Sequence, residues 1–267
     1  MKIITLNIQG GFKINQVCQE TKEKFAPLDL LCLQEVCESQ EITNHAQQIA
    51  ESLGRNYASK SFLPIDFKVK SMGNAFVFNK KSLNLLDSHG FTLPGPILNF
   101  PWKILNHQLK LTCDRLCFTG LFQTKKGLKI RVSNVHLDSA GGTPTRKRQI
   151  KFILKILATF EKTRLEFILG DFNTFNLTNK SFSELNLIQK KGFKDLTKNI
   201  PWTASPSNPD PAWKESYFLM RSLKPFSFLF RKKMDYIFGK GKIINPQSLA
   251  ISFNSTDHQA IVIEFNI

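Results

Sequence analysis

The chain has 267 residues, with 37 Lys+Arg against 21 Asp+Glu, a formal net charge of +16 and a pI of about 9.7. A hydrophobic fraction of 42% with 14 Gly and 12 Pro excludes collagen-like and wholly disordered chains. The longest uncharged run, residues 88–102, has 15 residues broken by three prolines and two glycines, too short and too interrupted to cross a bilayer.

In chain order, residues 2–8 are β-branched and apolar until Gln9-Gly10-Gly11 breaks the run. Residues 29–36 form a near-continuous apolar stretch, as expected of a strand covered on both faces. Residues 43–53 carry Ala46, Ile49, Ala50 and Leu53 on one side of a helix that ends at Gly54. Residues 74–78, 115–123, 128–137 and 166–169 read as strands. Between the last two lies the clearest helical period, with Pro144 near its start and a stripe of Ile150, Ile153, Leu154, Leu157 and Ala158. Residues 234–238 and 259–265 are the closing strands. Residues 91–111 read as a long surface loop, and residues 200–233 resist assignment: they begin with PWTASPSNPDP and end in an aromatic, basic stretch. With no repeat, low-complexity block or linker, residues 1–267 read as one domain, expected to be a monomer.

Five cysteines, an odd number, include no C-x-x-C pair, so free thiols in a reducing compartment are expected. Strand-like sequence starts at once in MKIITLNI without a charged and apolar leader. This points to a cytoplasmic protein and leaves export without a leader open. The positive excess favours a polyanionic partner: nucleic acid first, an anionic membrane surface second, small phosphorylated molecules third.

Polar residues fall at the strand edges. Asn7 ends the first strand and Glu35 the second; His136 and Asp138 close a later one. Asp171 and Asn173 follow the run FIL, Asp235 lies in MDYIF, and Asp257-His258 precede the last strand. Any one acid at a strand end is usually a turn former or a cap. Six such segments delivering to one rim would crowd carboxylates unless a cation sat among them. Oxygen ligands suit Mg²⁺, with Mn²⁺ a substitute, and two histidines supply proton transfer near neutral pH.

The ordered set TLNIQG, LQEV, NVHLD, LGDFNT, MDYIF and TDHQAIVI resembles the endonuclease/exonuclease/phosphatase family of metal-dependent phosphoesterases, from Asn7 to Phe265. The resemblance implies an α/β fold, a four-layered α/β/β/α sandwich of two packed mixed β-sheets flanked by helices. It implies a metal site at Glu35 with Asn7 and Asp257. His258, partnered by Asp235, would orient or protonate at the phosphate; Asp171 would position or deprotonate the attacking water, and Asn173 would contact the phosphate. His136 would bind and neutralise the phosphate, with Arg115 a looser phosphate-contacting match. Deoxyribonuclease-like members pair the first histidine with a glutamate on the strand after LQE, whereas SMGNAFVF offers Asn74 and no acid. Asn74 either binds phosphate or satisfies nearby backbone.

The expected activity is Mg²⁺-dependent phosphodiester hydrolysis by a nuclease or a DNA-end (tyrosyl-DNA-type) phosphodiesterase. The alternatives are a sphingomyelinase-like or inositol-phosphate head-group phosphoesterase and a catalytically silent phosphate binder. Arg146, Lys147, Arg148, Lys151 and Lys155 read either as a solvated basic face or as phosphate contacts. The aromatic and basic run 213–233 suits unpaired bases, a membrane interface or an ordinary core.

Overall fold

A computed structural model describes residues 1–39, 43–64, 71–96, 115–139, 141–174, 183–205 and 231–267. The first strands are β1 (Lys2–Asn7), β2 (Leu30–Glu38), β3 (Tyr57–Phe62), β4 (Ser71–Asn79), β5 (Leu83–Thr92) and β6 (Leu116–Thr124). They are followed by β7 (Lys129–His136), β8 (Leu165–Asp171), β9 (Lys194–Asp195), β10 (Asp235–Gly241), β11 (Ile244–Ser252) and β12 (Gln259–Asn266). The helices are α1 (Ile14–Phe25), α2 (His45–Leu53), α3 (Gly142–Leu157) and the short α4 (Asn186–Gln189).

The strands form two packed six-stranded mixed sheets, in the orders β11-β12-β1-β2-β4-β3 and β5-β6-β7-β8-β10-β9. The parallel pairs β1–β2 and β7–β8 sit near the middle of their sheets, and their neighbours run antiparallel. Alternation along β1 explains the layering. Ile3 turns into the core between the sheets with Phe76, Phe118, Phe167 and Ile237. Ile4 and Leu6 turn the other way, under Val17 and Phe25 of α1 and Ile49 of α2. On the second sheet Val135, Ile168 and Phe238 pack against Ile150 and Ile153 of α3. Phe76 stacks on Phe118 at 4.7 Å and meets Phe122 edge-on at 5.3 Å, joining the sheets.

A polar layer crosses the same core just below one end. Gln34 Nε2 donates to Asn134 Oδ1 at 2.6 Å and to Thr5 Oγ1 at 3.0 Å, while Asn134 Nδ2 donates to the Leu33 and Ala75 carbonyls. These bonds tie β1, β2 and β4 to β7 immediately beneath Glu35 and His136.

Several expectations need correction. Helix α1 and strands β3, β5 and β11 were not foreseen, although α1 spaces Ile14, Val17 and Phe25 on one face. Strands β5 and β11 are half-exposed sheet edges, where the apolar run that marks a buried strand is absent. Strand β2 runs past the LQEV segment to Glu38. Phe91 and Thr92 close β5 rather than open a loop, and residues 97–111 lie outside the described residues. Ala158 falls beyond the end of α3 and is exposed. Arg146 leaves the supposed basic face altogether: it is buried, with Nε donating to Glu184 Oε1 at 3.0 Å. Among the described residues, Cys18, Cys32 and Cys117 are free thiols. Among the described residues no helix is long and apolar enough to cross a membrane.

Candidate active site

One rim of the sandwich collects the ends of β1, β7 and β8, the starts of β10 and β12, and the kink in β2. Glu35 reaches it through a local irregularity. The β2–β4 register shifts between Leu33 and Val36, and Glu35 takes φ 59°, in the left-handed region that non-glycine residues seldom occupy. Before Asp171, Gly170 has φ 132°, and a Cβ there would strike the Val135 carbonyl, so LGD needs glycine to seat its aspartate beside β7.

Asn7 holds the two acids apart and in place. Its Nδ2 donates to Glu35 Oε1 and to Asp171 Oδ2, each at 3.1 Å, and its Oδ1 accepts from the Gln9 amide. Asp171 Oδ1 accepts from the Asn173 amide at 2.8 Å. Across the rim, His258 Nδ1 lies 2.8 Å from Asp235 Oδ2. The other ring nitrogen, Nε2, faces Asp257 Oδ1 at 3.9 Å and Asp171 Oδ2 at 4.0 Å. On the third side, His136 Nε2 stands 3.6 Å from Asp171 Oδ2 and 3.8 Å from Glu35 Oε1.

Charge is divided unevenly among these groups. Burial would lower the His258 pKa, but Asp235 above all, with Asp257 and Asp171, raises it well above the ordinary value. Burial, then the Asp235 carboxylate, pushes Asp171 up to about 7, against the pull of His258 and the hydrogen bonds from Asn173 and Asn7. Burial also raises Asp257, with Glu35 adding to it and His258 opposing. His136 is held well below its usual value, by burial first and then by Arg115 and His258.

That last shift has a geometric counterpart. Arg115 Nη1 lies 2.6 Å from His136 Nε2, and a guanidinium can only donate, so the imidazole accepts and is neutral. The positive charge on that side of the rim is therefore carried by Arg115, whose Nη2 also donates to Ser139 Oγ at 3.2 Å. For Asn74 the second of its two readings holds. It is buried, and Nδ2 donates to the Leu116 and Asn134 carbonyls at 3.4 and 3.0 Å, so its amide bridges the sheets beneath the rim instead of facing a phosphate. Asn173 Nδ2 likewise donates to the Leu137 carbonyl at 2.8 Å.

The donor set suits a hard divalent cation. Four carboxylates share the rim, and Asp235 Oδ1 is buried with no hydrogen-bond partner among the described residues. Asp171, Asp235 and His258 offer ligand atoms within 4.8 Å of one another. His258, however, is engaged by Asp235 and favours the protonated form, which cannot ligate.

Thr203 was missed by sequence reasoning. Its Oγ1 accepts from the amides of Met234 and Asp235, both at 2.9 Å, and its carbonyl accepts from Gln259 N at 2.6 Å. Ser205 N donates to the Asp257 carbonyl at 2.9 Å, and Ala204 bridges both Lys232 and His258. This short segment clamps the start of β10 to the start of β12 and so aligns Asp235 with His258. Nothing in PWTASPSNPDP marks it, because an isolated bridge has no periodicity. Glu20 of α1 was also unforeseen. It accepts from Asn254 N, Ser255 N and Ser255 Oγ, the last at 2.6 Å, and thereby fixes the loop that leads to Asp257.

No protein-family model and no curated protein matches this sequence. Solved structures do match in three dimensions. An endonuclease/exonuclease/phosphatase from Bacteroides vulgatus aligns at 18% identity and TM-score 0.69, over 100% of this chain and 98% of that one. TDP2 of D. rerio, complexed with a single-strand DNA product, aligns at 16% identity and TM-score 0.67, over 100% and 99%. The human Nocturnin catalytic domain with bound sulfate aligns at 17% identity and TM-score 0.66, over 100% and 93%. These alignments cover the whole sandwich, and the chain adopts the endonuclease/exonuclease/phosphatase fold.

Proposed function

We propose that the chain is a divalent-metal-assisted phosphodiesterase acting on a nucleic-acid strand or its modified end. The observation that carries this reading is the Asp235–His258 pair at 2.8 Å, with the outer ring nitrogen 4.0 Å from Asp171 across the junction of the two sheets. At that distance the imidazolium and the carboxylate stand on one side of a phosphate, so the pair supports a cluster in which one group handles the attacking water and the other the phosphoryl charge. Asp171, pushed up to about 7, is matched to accepting a proton from water near neutral pH. His258, kept protonated by Asp235, would donate to a non-bridging phosphoryl oxygen. Arg115 would pair with a non-bridging oxygen, and His136 would hold the guanidinium in place.

Glu35 and Asp257, with Asn7 in support, would hold Mg²⁺ or Mn²⁺; when bound, such an ion stabilises charge on phosphate oxygens. A nucleic-acid substrate is favoured by the net charge of +16 and by the exposed Arg148, Lys151 and Lys155 on the helix that follows the rim segment NVHLD. Trp202, one residue before the clamp at Thr203, carries the Arg231 guanidinium over its ring at 4.4 Å, a surface suited to a base. The likeness to TDP2 holding a DNA product agrees.

The test is hydrolysis with Mg²⁺, with and without chelator, of single- and double-stranded DNA, RNA, 5′-tyrosyl DNA, sphingomyelin, phosphoinositides and a hexose 6-phosphate. Chelator-sensitive cleavage of a nucleic-acid substrate is expected. Release of a head group alone would move the substrate to lipids, and no hydrolysis by folded, metal-loaded protein would overturn the reading.

A further inference from the structure

The pole opposite the catalytic rim is built from three turns that the activity does not use. Strand β7 runs from Lys129 there to His136 at the rim, and β8 from Leu165 to Asp171, so the two ends stand about 20–25 Å apart. A cavity of about 400 Å³ opens at this pole, lined by Lys126, Leu128, Arg164, Lys242, Ile244 and Ile267. It adjoins a second, of about 450 Å³, that shares Lys126, Leu128 and Arg164 and adds Lys129 and Lys162.

The chemistry of this trough is uneven. Five cations line it, and among the described residues no acidic side chain does; Lys129 meets Glu161 at 3.7 Å just outside. Its lining also includes aliphatic side chains: Ile244 and Ile267 remain 39% and 45% exposed. Exposed aliphatic side chains ringed by Lys and Arg match the boundary of an anionic bilayer, where methyl groups enter the acyl edge and cations meet phosphates. A groove for an unpaired strand would instead present rings for the bases, and no aromatic side chain lines either cavity among the described residues.

We infer that this pole is a docking surface for an anionic phospholipid membrane. Docked there, the protein turns its catalytic rim to the aqueous side, more than two screening lengths from the lipid phosphates. The membrane is then the place of action and not the substrate. The inference is independent of the phosphodiesterase reading, because its readout is binding.

The experiment is sedimentation of the full chain with phosphatidylcholine vesicles, with and without about one quarter phosphatidylserine. The test variant combines Lys126→Glu, Lys162→Glu, Arg164→Glu and Lys242→Glu, and a second set uses Gln at the same positions in case reversal perturbs folding. The wild type should bind the anionic vesicles, bind neutral ones far less and lose binding in high salt. The variants should bind at least about a hundredfold more weakly, from about fivefold per cation, with an unchanged thermal midpoint. Wild-type binding by the folded Gln set, equal binding to neutral vesicles, or loss of oligonucleotide binding in place of vesicle binding would each overturn the proposal.

Discussion

Nδ1 of His258 and Oδ2 of Asp235 meet at 2.8 Å, although one residue leads into β12 of the first sheet and the other opens β10 of the second. The pair thus joins the two halves of the sandwich at the point where the chemistry is proposed. Removing the charge while keeping the shape, by Asp235→Asn, should lower the His258 pKa, because Asp235 is the largest influence raising it. The imidazolium would then be lost at lower pH than in the wild type. The alkaline limb of kcat/KM should shift to lower pH, and turnover near neutrality should fall by about a hundredfold or more. A pH–rate profile with its alkaline limb unmoved would take the pair out of the chemistry.

Thr203 tests whether alignment of that pair depends on the clamp between β10 and β12. Thr203→Val keeps the volume and removes the acceptor of two backbone amides, one of them on Asp235. It should cost about 1–3 kcal/mol in stability. Turnover should fall more than KM rises, and Thr203→Ser should restore both. A Val variant that loses stability alone would mean that the clamp holds the fold without setting the site.

Glu20 supplies a pH dependence of stability. Burial would raise its pKa, but hydrogen bonds from Ser255 and Asn254 and the Lys24 ammonium outweigh burial and bring it below 4.5. A group whose pKa is depressed in the folded state contributes stability above its unfolded value and loses that contribution as pH falls through its folded value. The gap in thermal midpoint between wild type and Glu20→Gln should therefore be constant near neutrality. Below the ordinary glutamate range it should close, and a gap that widens there would contradict the assignment.

The buried Arg146–Glu184 pair has side chains only 1% and 2% exposed. Arg146→Met or Glu184→Leu alone strands a buried charge and should cost about 3–5 kcal/mol, whereas the double replacement should recover most of that loss. Chemical denaturation of the three variants measures this. If Arg146→Met proves harmless, the side chain is not held in a buried pair.

Much of the sandwich was legible in the residue pattern. The central strands β1, β2, β7, β8 and β12 are covered on both sides, and coverage forces apolar runs that stand out against polar turns. Edge strands β5 and β11 escaped because one side of an edge faces water, which erases that run. The site was legible where a polar residue interrupts an apolar strand end, as at Asn7, Asp171 and His258. It was misread at Arg146, and Asn74 and the charge of His136 were left open, for one reason. An amide, a guanidinium and an imidazole look alike in sequence whether they face solvent, a carbonyl or another charge, and only their neighbours in space choose among these.

The order of residues along the chain sufficed to specify which segments are strands with two covered faces and which polar groups stand at their ends, because periodicity and turn chemistry are local. The folded form alone established who meets whom: Asn7 between Glu35 and Asp171, Arg115 on a neutral His136, and Thr203 across β10 and β12. These contacts join residues up to 164 positions apart. Their protonation follows from mutual distance and burial, quantities that exist only once the two sheets have packed.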